Sequence, residues 1–131
     1  MPQIGAPSAW EVGHTGEGVK VAVPGTGIDG HHPERVGGVV AEKNFSGASS
    51  GTVDRFGHGT HVASIITGGA ACDAGYKEVA PDAGLLNGKV LDDQGSGSCS
   101  SILAGMQRAV EALAGLVGHG LVTDAPGQPG R

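Results

Sequence analysis

Gly57-His58-Gly59 opens a run of small and β-branched residues that closes at Gly68. That pattern predicts a helix starting at His58, with Gly59 and Thr60 in its first turn and Gly68 at its stop. A histidine at the start of a rigid element presents its imidazole at an edge, where a nucleophile carried by another segment can meet it. A base held in that way is what acyl transfer needs. Two other uses compete with it. An isolated motif of this kind is often only a helix-capping histidine. His58 and His61 also stand three apart on one helical face, a spacing that could hold a metal. No Glu follows His58 as a metalloprotease base would, and no third ligand stands out, so metal is set aside.

The elements that must position His58 are short. Ile4 to Trp10 reads as a docking helix, and Val19-Lys20-Val21-Ala22-Val23 as a strand that Pro24 ends abruptly. Gly25-Thr26-Gly27-Ile28-Asp29-Gly30 spells the dinucleotide fingerprint directly after that strand. Only the eight residues from His31 to Gly38 then precede the next apolar run, which leaves no room for the crossover helix. Nucleotide binding is rejected on that ground. Val39 to Phe45 is a second strand, Ser46 to Val53 a loop, and Leu85 to Leu91 a third strand weakened at Gly88. Asp92 to Ser98 is a polar connection or extended edge. From Ser100 a serine-capped helix carries Leu103, Met106, Val110, Leu113 and Val117 at helical spacing, a stripe expected to pack into the core. Gly120 to Arg131 has no period and is expected to be disordered. Strands alternating with helices indicate an α/β layer with parallel strands.

Composition bounds the rest. The 131 residues make one domain at most, and a net charge of −5 argues against nucleic acid or an anionic membrane as partner. No run reaches the length of a membrane span. Glycine (26) and proline (7) supply about a quarter of the chain, spaced between apolar runs as in a loop-rich folded protein. Four aromatics leave a core of Val, Leu, Ile and Ala. Cys72 and Cys99 match no metal or redox spacing. No signal peptide is recognised, so a cytoplasmic location is expected for the chain as written.

Four blocks together resemble the N-terminal half of a subtilisin-like serine endopeptidase, the S8 peptidase family. They are Val19 to Gly30 with His32-Pro33; Phe56-Gly57-His58-Gly59-Thr60-His61-Val62-Ala63; Val79-Ala80-Pro81-Asp82-Ala83; and Lys89-Val90-Leu91 followed by Gly95-Ser96-Gly97. The resemblance implies an incomplete three-layer α/β/α fold with a short, mainly parallel sheet. It spans residues 1–110, and 111–131 reads as a helix end with a divergent tail. It also implies that His58 is the catalytic base and that Gly95, Ser96 and Gly97 are the edge that pairs with an extended peptide or protein substrate. Cys99 falls where the family lines a side-chain subsite. Family members are usually secreted, and the family leaves calcium open as a ligand, although this sequence supports no cofactor.

Three departures shape the expectation of activity. The family's first block carries an aspartate where this chain has Gly25, and glycine can neither fix the histidine's tautomer nor stabilise its imidazolium. Asp29 lies four residues further on, past a turn, and is not expected to substitute. Pro24 should cost roughly 3 kcal/mol if its strand is central. No Gly-Thr-Ser nucleophile block occurs in the 131 residues. The expectation is a truncated serine endopeptidase, inactive alone; the alternative is a peptide-binding or split-enzyme half that needs a complementing C-terminal fragment.

Overall fold

The computed structural model describes residues 1–32, 38–68 and 77–114. A 3-10 turn (Pro2–Ile4) and α1 (Ala6–Glu11) precede β1 (Lys20–Gly25), β2 (Val39–Asn44), α2 (His58–Thr67), β3 (Gly84–Lys89) and α3 (Cys99–Leu113). Left-handed Gly5 (φ +73°) separates the first two, splitting the expected docking helix, and the Trp10 indole N–H anchors α1 to the Val79 carbonyl at 3.1 Å. The sheet is parallel, in the order β1-β3-β2. β3 is therefore the central strand, and Leu85, Leu86, Asn87 and Lys89 on it are all buried.

Strand alternation sorts the core into two layers. Val21, Val23 and Leu85 face α2 and meet Ile28, Ala63 and Ile66. Ala22 and Leu86 face α3 and meet Ala112. In β2 the register slips between Val39, opposite Leu85, and Ala41, opposite Leu86. The extra residue turns Val39 to one face and Ala41 to the other, as a bulge does. The result is an α/β/α arrangement, as read from the sequence.

Pro24 does not end its strand. β1 runs through it to Gly25, in register with Gly88 and Lys89. The carbonyls of Val19 and Gly25 accept from Gly84 and Val90, so the odd-numbered residues of β1 turn their backbone groups to β3. Pro24 faces the open side of this edge strand, where a missing N–H breaks no ladder bond, and the expected penalty is not incurred. Gly88 does not interrupt β3 either.

The stripe assigned to the core on α3 is the larger correction. Leu103, Met106, Val110 and Leu113 are exposed, by 48% to 67%. The helix instead turns Ile102, Gly105, Ala109 and Ala112 to the sheet, the same spacing shifted back by one residue. Small residues let the helix come close: a methyl added at Gly105 would run into the Val90 side chain. Hydrophobic patterning finds the bulkiest stripe, and here the contact stripe is the least bulky one. Val117, Cys72, Tyr76 and the tail from 115 onward lie outside the described residues.

Candidate active site

α2 begins at His58, and the cap position before it is Gly57 in the left-handed region (φ +100°), with no capping side chain of its own. The capping comes from Asp54. One carboxylate oxygen accepts from the Gly57 amide (2.8 Å), the Phe56 amide (3.0 Å) and the Thr26 hydroxyl (2.9 Å). The other accepts from the Thr60 amide (2.8 Å) and the Thr60 hydroxyl (2.7 Å). An anion set against the first-turn amides also complements the helix dipole. Partial burial pushes the Asp54 carboxyl up, but the hydrogen bonds from Thr60, Gly57 and Thr26 outweigh it and hold the group below its ordinary value.

Thr26 ties this cap to the end of β1. Its hydroxyl accepts from the Gly59 amide at 2.8 Å while donating to Asp54. Gly59 is buried against the Gly27 carbonyl, where no Cβ fits, and Gly27 (φ +106°) lies against Thr52 and Val53 just as closely. Gly27, the middle glycine of the nucleotide-like spelling, and Gly59 together let three backbone segments of the protein touch one another. His58 is held between Gly57 and Gly59 and is exposed. Among the described residues no hydrogen bond or ion pair reaches its ring.

Gly25 sits behind that first turn. It lies on the α2 side of the sheet with Val21 and Val23, and a Cβ built on it would stand 3.7 Å from the Gly59 Cα, an ordinary contact. A Cβ fits there beside the start of α2, and none is present. Asp29 is turned elsewhere: its carboxylate accepts from the His31 amide (3.0 Å) and its amide donates to the Thr60 hydroxyl (2.9 Å).

Gly95, Ser96 and Gly97 follow β3 in a closed turn. The Asp92 amide donates to the Ser96 carbonyl (2.7 Å), the Gly95 amide to the Asp92 carbonyl (3.1 Å), and the Gln94 and Ser96 amides to the Asp92 carboxylate (both 2.9 Å). Gly95 (φ +80°) packs under the Phe56 ring, which a Cβ would strike at 2.9 Å. This contact brings the His58 loop and the glycine turn side by side. Cys99 is exposed and free in the first turn of α3, whose cap is the Ser98 hydroxyl accepting from the Ser101 amide at 3.1 Å.

Asp54, Thr26, Phe56 and Lys89 were not singled out by sequence reasoning. Asp54 carried one signal, an acidic residue just ahead of a helix start, and Lys89 another, a lysine inside an apolar strand. Among the described residues no group of three or more His, Cys, Asp or Glu side chains could hold a metal ion, and no helix is long and apolar enough to cross a membrane.

Comparison with known proteins gives this arrangement a family. The profile of the subtilase family matches residues 16–124. The chain is 38% identical over 125 residues to an intracellular serine protease of Paenibacillus polymyxa, covering 92% of this chain and 38% of that protein. It is 34% identical over 125 residues to thermitase of Thermoactinomyces vulgaris, covering 89% and 44%. It is 39% identical over 121 residues to the minor extracellular protease Vpr of Bacillus subtilis, covering 84% and 14%. The chain thus spans less than half the length of each of these relatives. It belongs to the subtilase family, a family of serine endopeptidases.

Proposed function

We propose that this chain carries the proton-transferring part of a subtilase site, and that the 131-residue polypeptide by itself does not hydrolyse peptide bonds. His58 is the general base of that site, and Gly95, Ser96 and Gly97 form the edge against which an extended peptide lies. The observation that carries the reading is Gly25. The sheet offers a side-chain position toward the first turn of α2, and glycine leaves the imidazole without an anion behind it. In subtilisin, a member of the family, loss of the triad aspartate alone costs about 10⁴-fold in turnover. No Gly-Thr-Ser block in these residues supplies a nucleophile.

Two measurements test this. The purified chain is expected to show no His58-dependent turnover of a chromogenic peptide, and such turnover would overturn the reading. In Gly25→Asp, a strongly deshielded imidazole N–H proton should appear in the NMR spectrum, one that His58→Ala removes. Its absence from well-folded Gly25→Asp protein would mean that position 25 does not face the ring.

A second reading is favoured by the exposed apolar stripe of α3 and by the edges of β1 and β2, which are unpaired among the described residues. On that reading the chain is a half that a separate polypeptide completes, or one that binds peptides without cutting them. Hydrolysis that appears only when a subtilase C-terminal fragment is added supports a split enzyme. Saturable peptide binding without hydrolysis supports the binding role.

A further inference from the structure

Lys89 is a buried cation that the proposed chemistry leaves unused. It ends the central strand with none of its surface exposed, and its ammonium has three donors. All three find acceptors: the Thr26 carbonyl at 2.6 Å, the Val53 carbonyl at 2.9 Å and an Asp93 carboxylate oxygen at 3.0 Å. Asp93 takes a further bond from the Ser50 hydroxyl at 2.6 Å. The acceptors belong to three separate segments. Thr26 follows β1 and holds the Asp54 carboxylate and the Gly59 amide through its hydroxyl. Val53 immediately precedes Asp54. Asp93 lies inside the turn that carries Gly95 and Ser96.

We propose that Lys89 is a positioning residue that sets the first turn of α2, and hence His58, in register with the Asp92–Gly97 turn. On the His58 side it acts through Thr26 and Val53; on the other it acts through Asp93. A neutral residue of similar length could fill the volume but would take the donor from the buried Thr26 carbonyl and the partly buried Val53 carbonyl and leave Asp93 with the Ser50 hydroxyl alone, and that is costly. The roles of the two joined segments rest on the function proposed above. The link between them does not, because it is read from amides and not from turnover.

The test is hydrogen exchange on the full 131-residue chain, wild type against Lys89→Met. Amides of Gly59 and Thr60 on one side, and of Gly95 and Ser96 on the other, are expected to exchange about tenfold faster or more. Amides of β3 next to β2 should change far less, whereas loss of global stability would accelerate all of them together. In a Thr26→Val background, Lys89→Met should add less at Gly59 than it does alone, since the relay through Thr26 is already cut. If Lys89→Met does not fold, Asp93→Asn takes its place and is expected to loosen both sets of amides. Loosening of the Asp92–Gly97 turn alone, with Gly59 and Thr60 unchanged, overturns the proposal. So does uniform acceleration across the sheet.

Discussion

An aspartate four residues before His58 fixes the turn that His58 opens. Asp54 spreads its two oxygens over the Phe56, Gly57 and Thr60 amides and two hydroxyls, so the first turn of α2 is capped from outside the helix. Asp54→Ala should cost about 0.5–2 kcal/mol, the usual range for a lost cap, measured by urea unfolding. The pH dependence has a definite sign. Both Asp54 and Asp93 are held below their ordinary values, Asp93 by the Ser50 hydroxyl and then the Lys89 ammonium. Their contribution is present above the unfolded carboxylate value of about pH 4 and is lost as pH falls through the depressed native values. Stability measured from pH 6 downward should fall in that acid range, and Asp54→Ala should flatten part of the drop. A profile unchanged by the substitution would show that Asp54 does not carry the effect. At this scale the sequence singled out His58 and Gly25 as candidates, because both sit in local motifs. Thr26 and Lys89 meet each other and Asp54 or Val53 across 28 to 63 residues, and no local pattern reports those pairings; Asp54, by contrast, caps amides only two to six residues on, within reach of a local signal.

Elements were legible where local chemistry decides them and misread where packing does. The start of α2 at His58 follows from its glycines, and β1 and β3 from their β-branched and apolar runs. The contact face of α3 does not follow from hydrophobicity, because the sheet selects small residues for close approach. Gly105→Ala separates the two influences. In an exposed helix the change would gain about 0.8–1.0 kcal/mol from propensity. Here the new methyl meets Val90 on one side and stands 3.7 Å from Phe45 on the other, and overpacking of this kind costs about 1–3 kcal/mol. The collision should win, leaving Gly105→Ala less stable in denaturant unfolding. A stabilised variant would mean that α3 lies further from the sheet. Pro24 makes the same point in reverse: its cost depended on which edge of β1 it faces, and topology alone settles that.

At the scale of the whole chain, the balance between covered and open apolar surface sets the expected behaviour. Among the described residues nine hydrophobic side chains are buried, four of them alanines, while twelve large ones are exposed. The sheet has one central strand, and both of its edges are unpaired among the described elements. Burial is worth about 25 cal/mol per Å², and alanine brings little area to bury, so the core gains little against the entropy of ordering the chain. Exposed stripes such as that of α3, beside open strand edges, also invite association. The 131-residue chain alone should therefore melt broadly at modest temperature by circular dichroism, and bind an apolar dye before it melts. Leu103→Gln with Val110→Gln should reduce the dye signal while leaving the melting midpoint nearly unchanged, because neither side chain contributes to the core. A sharp, cooperative transition at high temperature without dye binding would mean that these faces are covered in solution, and the small buried set would then not be the whole core.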